Sequence, residues 1–312
     1  MNLVFCGTPV FAVPTLTTLV RAGFTVSLVV TQPDKPRGRG LELSYSPVKK
    51  AVLELELPLA QPDKIRNNQE FQSQLASLRP DAIIVVGYGR IIPKWMIDLP
   101  PLGNLNLHAS LLPKYRGAAP IQWAIASGET TTGVTTMRID EGLDTGDILL
   151  QSEMPINNED TAETLAPRLA QIGAELMIET LRGLRAGTVI AKPQDHSKAS
   201  LAPILKKEDG LIEFSRPAIE IWNRFRGFQP WPGAYTRFRG KQLQAYAMRP
   251  RESSTNLAPA EIIVDQNELL VGCGNNTALA IIELQLEGKK RISAREFLNG
   301  YRLIEGERLG RS

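Results

Sequence analysis

The chain has 312 residues, long enough for one large domain or two ordinary ones, and its 43% hydrophobic and 22% charged residues are typical of a globular protein. The formal net charge of +3 is too small to indicate a nucleic-acid partner by itself, and two distant cysteines, Cys6 and Cys273, argue against a metal site. Because no apolar run is long enough for a bilayer and the start lacks a secretion signal, we expect a cytoplasmic protein without membrane contact.

The first half of the chain alternates short apolar runs with helical patterns. Strands are predicted at residues 2–6, 25–31 and 81–89, and helices at residues 13–23, 46–57 and 67–80. The helix at residues 46–57 has a clear start, because Ser46 can cap it and Pro47 suits the first helical position. Strands that alternate with helices in this way predict βαβ units around a mostly parallel α/β sheet.

A second domain is predicted after a long helical pattern at residues 161–187. Residues 192–210 are polar and irregular, so we place a linker at residues 190–206. Beyond it, a helix near residues 216–228 precedes β-like runs punctuated by glycine and asparagine, at residues 233–238, 241–248, 261–274 and 277–288. The predicted organisation is an α/β domain at residues 1–189 and a small antiparallel barrel at residues 207–312.

One of the chain's two histidines ends the sequence Leu-Asn-Leu-His, which alternates like a strand. Side chains of a strand point alternately to its two faces, so Asn106 and His108 share one face while Leu105 and Leu107 share the other. Ligands of open α/β sheets bind at the carboxyl ends of the strands. The amide and the imidazole therefore lie where a ligand site is expected.

An amide next to an imidazole suits acyl transfer. The amide can donate to an oxygen that becomes negative when a carbonyl is attacked, and the imidazole can move protons or donate to the same oxygen. A nearby carboxylate would orient the imidazole and favour its charged form. The acids of a later loop compete for that role, namely Asp140, Glu141, Asp144 and Asp147. The pair also allows a structural interpretation, in which Asn106 caps a turn.

Two stretches combine positive charge with features of RNA-binding surfaces. The first, at residues 33–50, is predicted to be an irregular loop because prolines and glycines interrupt it, and its cations are Lys35, Arg37, Arg39, Lys49 and Lys50. The second, at residues 223–241, interleaves aromatic residues with cations that include Arg224, Arg226 and Arg237. Each also allows a plainer interpretation: a solvated loop for the first, and an aromatic barrel core with solvated arginines for the second.

Several separated motifs resemble those of one family, in the same order. They are FCGTPVFAVPTL, TQPDKPRGRG, SPVK, NLHASLLPKYRGAAPIQWAI, GVTTMRIDEGLDTGDIL and FQPWPGAYT, and together they resemble the methionyl-tRNA formyltransferases, a family of folate-dependent enzymes. The resemblance covers both halves of the chain. It implies a Rossmann-like catalytic domain followed by a β-barrel of OB type that helps to hold tRNA.

The resemblance also implies roles for particular residues. The family's catalytic trio falls on Asn106, His108 and Asp144. Its folate-binding stretch falls on Ser110, Leu111, Leu112 and Pro113, and a ribbon expected to line the same pocket includes Gly87, Tyr88, Gly89 and Ile91. Among the cations expected to hold tRNA, Arg39 is the leading candidate, and the others are Arg37, Lys49, Arg224, Arg226 and Arg237.

The activity that the resemblance implies is transfer of a formyl group from 10-formyltetrahydrofolate to the free α-amino group of methionine on initiator tRNA. No metal is expected, and a monomer is the default expectation. Three other functions are compatible with parts of the sequence: a formyltransferase acting on an amino sugar or a nucleotide amine, a non-catalytic RNA-binding module, and hydrolysis of the formyl folate. The long second domain, the basic loop and the catalytic trio favour the tRNA enzyme over these alternatives.

Overall fold

The structure is a computed structural model that describes residues 1–37, 42–251 and 256–310. Its strands are β1 (Asn2–Gly7), β2 (Thr25–Val30), β3 (Lys35–Arg37), β4 (Glu42–Ser44), β5 (Leu59–Ala60), β6 (Ala82–Val86), β7 (Asn104–His108), β8 (Thr131–Arg138), β9 (Ile148–Pro155), β10 (Ala234–Phe238), β11 (Lys241–Arg251), β12 (Ile262–Asp265), β13 (Glu268–Cys273), β14 (Thr277–Leu286) and β15 (Arg291–Ser293). Its α-helices are α1 (Val13–Arg21), α2 (Pro47–Glu54), α3 (Gln69–Leu78), α4 (Lys94–Ile97), α5 (Pro120–Ala126), α6 (Ala162–Ala186), α7 (Ala218–Gly227) and α8 (Ala294–Gly300), and 3₁₀ turns lie at Val10–Ala12, His196–Lys198 and Lys207–Gly210.

The chain forms two compact units, and each unit is built from three separate segments of the sequence. The first consists of Met1–Pro120, Thr131–Pro155 and Leu165–Pro203, and the second of Ile121–Thr130, Ile156–Thr164 and Ile204–Ser312. The polar stretch after α6 therefore belongs to the first unit as far as Pro203. The boundaries expected from the sequence, at residues 189 and 206, stay predictions. Within the described ranges, no helix combines the length and the apolar character needed to cross a membrane.

A seven-stranded sheet forms the centre of the first unit, in the order β5-β2-β1-β6-β7-β8-β9. The strands from β5 to β7 are parallel, whereas β8 and β9 run antiparallel to their neighbours. The prediction of a mostly parallel α/β sheet is confirmed. Because the chain first adds strands on the β2 side of β1 and later on its β6 side, a topological switch point lies between β1 and β6, where ligands of such sheets bind.

The helices of this unit begin where local signals in the sequence place them. Ser46 caps α2 by accepting from the backbone N–H of Lys49, and Asn68 caps α3 by accepting from that of Phe71. The apolar side of α3, with Phe71 and Leu75, packs in one core with residues of β1, β2 and β6. Every residue of β6 is buried, as expected for a strand covered on both faces. The sheet is thus a rigid support for the loops at its carboxyl edge.

The basic stretch after β2 contains a short hairpin, so the prediction of an irregular loop is wrong there. β3 and β4 pair antiparallel, with Lys35 opposite Ser44 and Arg37 opposite Glu42. Pro36 lies within β3, which a two-stranded ladder tolerates because alternate N–H groups point away from the partner strand. Strands of three residues carry too little periodicity for sequence analysis to detect. Arg39, the leading candidate for tRNA binding, lies outside the described residues.

The second unit contains a six-stranded antiparallel sheet, in which the order is β10-β11-β14-β13-β12 and β15 pairs with β14. The prediction of a C-terminal antiparallel β domain is confirmed. Ile221 and Phe225 of α7 and Phe297 of α8 contribute to its core, together with residues from the strands. The aromatic residues of the second basic stretch include Phe225 and Phe238, and both belong to this core, as the plainer interpretation of that stretch expected.

The C-terminal segment links the two edge strands of this sheet. The N–H of Ile262 in β12 donates to the backbone oxygen of Glu307 over 2.9 Å, and the N–H of Gly310 donates to that of Arg237 in β10 over 2.8 Å. Edge strands expose unpaired backbone groups, and this segment satisfies some of them on both sides. Among the described residues, β10 and β12 themselves form no ladder, and the segment bonds to both of them.

Candidate functional site

Asn106 and His108 lie at the carboxyl end of β7, inside the seven-stranded sheet. β7 pairs with β6 on one side, where Asn106 is opposite Val85, and with β8 on the other. Because β6 and β7 are parallel, the loops that follow them leave the sheet at the same edge. His108 is 6% exposed and Asn106 is partly buried. The sheet therefore fixes both side chains at the edge where ligands are expected.

The carboxylate of Asp144 contacts both of these side chains. Its Oδ1 lies 3.5 Å from Nδ2 of Asn106, at the limit of a hydrogen bond, and its Oδ2 lies 3.7 Å from Nδ1 of His108. Asp144 comes 38 residues after Asn106 in the chain, and its side chain is 17% exposed. The structure thus brings the three members of the predicted catalytic trio together.

Asp144 is held in place by backbone groups. The N–H of Gly117 donates to its Oδ2 over 2.8 Å. Asp144 itself has φ of 51°, a left-handed conformation that aspartate tolerates better than most residues other than glycine. Two of the competing acids point elsewhere, since Asp140 accepts hydrogen bonds within its own loop and the side chain of Glu141 is 72% exposed. Asp144 is therefore the acid of this loop that reaches both the amide and the imidazole.

The second ring nitrogen of His108 faces a backbone oxygen. Its Nε2 lies 2.9 Å from the oxygen of Tyr115, which can only accept, so Nε2 carries a hydrogen. Nδ1 faces the carboxylate of Asp144, which is also an acceptor when ionised. Both nitrogens thus face acceptors, and the form of imidazole that carries two N–H donors is the charged one.

The predicted folate-binding stretch from Ser110 to Pro113 is anchored to β8. Oγ1 of Thr135 donates to the backbone oxygen of Ser110 over 2.6 Å and accepts from the N–H of Leu112 over 3.1 Å. The Ser110 hydroxyl is fully buried and donates to a backbone oxygen four residues later. Leu112 is buried, whereas Leu111 and Pro113 are partly exposed. The stretch is a fixed turn whose polar side chain is bound within the protein.

The other predicted folate-binding segment follows β6. Gly87 and Gly89 have φ of 55° and 74°. The side chain of Tyr88 packs in the core, 1% exposed, where burial raises its pKa to about 12, so it is the backbone of this residue that lies at the edge. Ile91 is 90% exposed. No described residue accepts a hydrogen bond from the backbone N–H groups of residues 87–92, so this segment offers unused donors beside the switch point.

Lys49, which was predicted to bind tRNA, forms an ion pair with Asp34 close to the β3–β4 hairpin. Its Nζ also lies 4.0 Å from the ring centre of Tyr45, and its side chain is 14% exposed. Hydrogen bonds from Lys49 and then from Gln61 hold the pKa of Asp34 below its usual range. The charge of Lys49 is therefore balanced within the protein, and the side chain supports the base of the hairpin.

The arginines of the second basic stretch differ in exposure. Arg226 is 6% exposed and donates to the backbone oxygen of Asp160 over 2.8 Å. Arg224 is half-buried, with its guanidinium 4.9 Å from the ring centre of Phe228. Burial lowers the pKa of both guanidinium groups. Arg237, in contrast, is exposed on β10.

Three residues that the sequence analysis did not select form a hydrogen-bonded chain that reaches the backbone of Asp144. Arg116 donates from Nε and Nη2 to Oε1 of Gln194, over 3.1 and 2.6 Å, and its Nη2 lies 3.0 Å from Nδ1 of His196. Gln194 in turn donates to the backbone oxygen of Asp144. Arg116 lies inside one of the quoted motifs, which is a signal that could have identified it. Gln194 and His196 lie in the predicted linker, where no periodic pattern marks them.

Metal-ligand side chains are not clustered in the part of the chain that the structure describes. In residues 1–37, 42–251 and 256–310, no three or more His, Cys, Asp and Glu side chains are grouped to bind a metal ion. Both cysteines are buried, and burial raises the pKa of the Cys6 thiol and raises that of Cys273 to about 12. These thiols pack in the cores of their units.

Two family models match the chain. One described as formyl transferase covers residues 1–181, and one described as formyl transferase, C-terminal domain, covers residues 204–302. The chain belongs to the formyl transferase family. Among curated formyl transferases, the methionyl-tRNA formyltransferase of Koribacter versatilis is 65% identical over 311 residues, which is 100% of this chain and 99% of the relative. That of Acidobacterium capsulatum is 60% identical over 310 residues, 99% of this chain and 100% of the relative.

Solved structures of more distant formyl transferases share the fold. The N-formyltransferase from Helicobacter canadensis has a TM-score of 0.68 at 18% identity and covers 91% of this chain and 99% of its own. WlaRD, a sugar 3N-formyl transferase, has a TM-score of 0.66 at 18% identity, with 93% and 99% covered. At this level of identity the likeness concerns the fold alone.

Proposed function

We propose that this chain transfers the formyl group of 10-formyltetrahydrofolate to the free α-amino group of methionyl-initiator tRNA, giving N-formylmethionyl-tRNA for translation initiation in the cytoplasm. The observation that carries the proposal is the convergence of Asn106, His108 and Asp144 at the carboxyl edge of the sheet. Relatives named methionyl-tRNA formyltransferase, 60% and 65% identical over nearly the whole chain, support the same acceptor.

The proposed reaction is an acyl transfer between two nitrogen atoms. A bond forms between the methionine α-nitrogen and the formyl carbon, the bond from that carbon to N10 of the folate breaks, and one proton moves from the amine to N10. The amine attacks in its neutral form, and α-amino groups, with pKa values of about 7.7–8.0, are partly neutral at pH 7. The protein must therefore stabilise negative charge on the formyl oxygen and help one proton to move.

Asn106 and His108 stabilise the negative charge in this proposal. Nδ2 of Asn106 makes only a long contact of 3.5 Å with Asp144, so this donor is available to the formyl oxygen. The imidazole of His108 lies on the same face of β7, and in the proposed reaction it acts in its doubly protonated form, which adds positive charge. Each of the two groups is expected to contribute about 10²–10⁴ in rate.

Asp144 has two roles in the proposal. Its Oδ2 faces Nδ1 of His108 and receives the N–H of Gly117, so it balances the charge of the imidazole and orients the ring. Its Oδ1 contacts Asn106 only weakly, and this oxygen can pass the proton of the amine to N10 through a water molecule.

The edge of the sheet beside the trio suits a folate-type formyl donor. The unused N–H groups of residues 87–92 can serve the polar edge of a pterin ring, and Gly87 and Gly89 leave that backbone accessible. The fixed turn from Ser110 to Pro113 follows the neighbouring strand and offers the partly exposed apolar side chains of Leu111 and Pro113. We propose that 10-formyltetrahydrofolate binds between these two segments.

We propose tRNA contacts from three cations, of which Arg237 has a described, exposed side chain. Arg39 remains the leading candidate from the family resemblance, with Arg37 in β3 near it in sequence. Arg237 is exposed on β10 and suits a phosphate contact, which would make binding dependent on salt. The cations that we leave out, because their side chains are bound within the protein, are Lys49, Arg224 and Arg226.

The direct test is formylation by the purified chain. With 10-formyltetrahydrofolate and charged initiator tRNA we expect N-formylmethionyl-tRNA, and a much slower reaction with elongator methionyl-tRNA. His108→Ala and Asn106→Ala should each lower kcat by about 10²–10⁴ and leave the Kd for tRNA within about threefold. Full activity of pure His108→Ala protein would contradict the assignment.

Formylation of a dTDP-linked amino sugar instead of the tRNA would indicate a sugar enzyme, and formate release without tRNA would indicate hydrolysis.

A further inference from the structure

The buried side chain of Gln194 connects two loops of the site. It is 6% exposed and lies in the polar stretch after α6. Its Nε2 donates to the backbone oxygens of Asp144 and Gly146, over 2.9 and 2.7 Å. Its Oε1 accepts from Nε and Nη2 of Arg116, over 3.1 and 2.6 Å. The donors and the acceptor of this amide are therefore all used to join the loop of Asp144 to the loop after β7.

Arg116 extends this connection to the trio. Its side chain is 7% exposed, and its backbone pairs with residues 200–202 of the same polar stretch. The residues on either side of Arg116 contact two members of the trio. The backbone oxygen of Tyr115 faces the ring of His108, and the N–H of Gly117 donates to the carboxylate of Asp144. The orientation of the ring and that of the carboxylate thus depend on one short loop, residues 115–117. The polar stretch after α6 binds this loop through backbone hydrogen bonds.

We propose that Gln194 is a positioning residue for Asp144 and His108, and that the stretch after α6 clamps the site. The inference rests on the proposed function and requires no contact between Gln194 and a substrate. Asp144 has φ of 51°, a left-handed conformation that aspartate tolerates, and the Gln194 side chain bonds the backbone oxygens of Asp144 and Gly146 in this conformation. Moving a reacting group by about 1 Å can lower a rate by about 10²-fold, which makes such a clamp important for catalysis.

A buried amide of comparable bonding provides a matched control. Asn104 is 1% exposed, and its Nδ2 donates to the backbone oxygens of Met96 and Ile97, over 2.7 and 3.1 Å. It begins β7, at the opposite end of that strand from His108. Asn104→Ala therefore removes two hydrogen bonds of a buried amide, as Gln194→Ala removes two to the loop of Asp144, but the side chain of Asn104 bonds neither that loop nor the loop after β7.

The kinetic test compares Gln194→Ala, Gln194→Glu and Asn104→Ala in the full chain. Gln194→Glu keeps an acceptor for Arg116 and lacks the N–H donors for the two carbonyl oxygens. We expect both substitutions of Gln194 to lower kcat by about 10–100-fold, with KM for tRNA and for folate within about threefold. Asn104→Ala should lower the midpoint of thermal unfolding but leave kcat within about twofold. If Gln194→Ala does not fold, Gln194→Glu alone is compared with the control.

A second readout does not depend on the substrates. The chain has two histidines, so the ring nitrogen-15 NMR signals of His108 can be assigned with a His196→Asn variant. We expect these signals to shift in both Gln194 variants and to stay unchanged in Asn104→Ala. Identical His108 signals in wild-type and Gln194-substituted protein would overturn the proposal, as would equal losses of kcat in the Gln194 and Asn104 variants. If wild-type protein does not formylate methionyl-tRNA, the proposed function fails, while the His108 spectrum still decides whether Gln194 positions the ring.

Discussion

The backbone N–H of Gly117 donates to Oδ2 of Asp144 over 2.8 Å, and through it the loop after β7 holds the acid of the trio. Gly117 has φ of 122°, and a Cβ on it would lie 2.6 Å from the backbone oxygen of Ala202. Only glycine combines this backbone conformation with such a close approach. The same Oδ2 lies 3.7 Å from Nδ1 of His108. A change at Gly117 should therefore reach the imidazole through the carboxylate.

We predict that Gly117→Ala lowers kcat by about tenfold or more and destabilises the protein by about 1 kcal/mol or more, because the loop must move to admit a Cβ. The control is Gly23→Ala, since Gly23 also has a positive φ, of 80°, but has open space around its Cβ position. It should lose stability from backbone strain alone and keep its kcat. Steady-state kinetics and thermal unfolding of the two variants measure this, and equal kcat in both would contradict it.

Asp144→Asn should lower kcat by about 10²-fold or more while KM for tRNA changes by less than about threefold. The substitution keeps the size of the side chain and an acceptor for Gly117, but it removes the negative charge that faces His108. Glu141→Gln is the control, because it removes an acid of the same loop whose side chain is 72% exposed. A comparable loss of kcat in the Glu141 variant would show that the loop, not the carboxylate of Asp144, is responsible.

Arg237→Ala and Arg226→Ala should affect different properties. Arg237 is exposed, so its loss should raise KM for tRNA and reduce the dependence of binding on salt by about one phosphate contact, without changing stability. Arg226→Ala should lower the free energy of unfolding by about 1–3 kcal/mol, because it removes the donor bound to the buried backbone of Asp160. A salt series of tRNA binding and urea unfolding provide the two measurements. If the Arg226 variant is stable but binds tRNA more weakly and with less dependence on salt, Arg226 contacts tRNA and our exclusion of it is wrong.

The ion pair of Arg239 with Glu307 should make the second unit sensitive to acid. Nε and Nη2 of Arg239 donate to the two carboxylate oxygens of Glu307, over 2.7 and 2.9 Å, and these hydrogen bonds lower the pKa of Glu307. Because its pKa is lower in the folded than in the unfolded protein, the ionised carboxylate stabilises the fold above the unfolded pKa. This stabilisation is lost as the pH falls through the folded pKa.

Glu307→Gln should therefore lower the midpoint of thermal unfolding at pH 7, and the difference from wild type should disappear at an acidic pH below the lowered, folded-state pKa of Glu307. Glu305→Gln is the matched control, because Glu305 is exposed two residues earlier in the same segment. It should leave the midpoint unchanged at both pH values. A difference between Glu307→Gln and wild type that persists at low pH would mean that packing, and not the charge, accounts for the effect.

The secondary structure of both units was largely predictable, because its signals are local. A continuous apolar run predicted β6, and Ser46 followed by Pro47 predicted the start of α2. The three-residue strands of the β3–β4 hairpin were missed, since so short a segment has no readable period. The sequence also shows that Lys49 and Arg226 are cationic, but it does not show their partners. In the structure Lys49 pairs with Asp34, and Arg226 donates to the backbone oxygen of Asp160.

By itself, the sequence determined that Asn106 and His108 share a face of one strand, because the period of a strand is set within a few residues. Its motifs also carried the resemblance that selected Asp144 among four acids. Only the tertiary structure decided that this acid contacts the other two, that the N–H of Gly117 binds it, and that Gln194 of the predicted linker is buried against its loop. These contacts join segments 27 to 50 residues apart, and they depend on how the sheet and its loops pack, which no local pattern encodes.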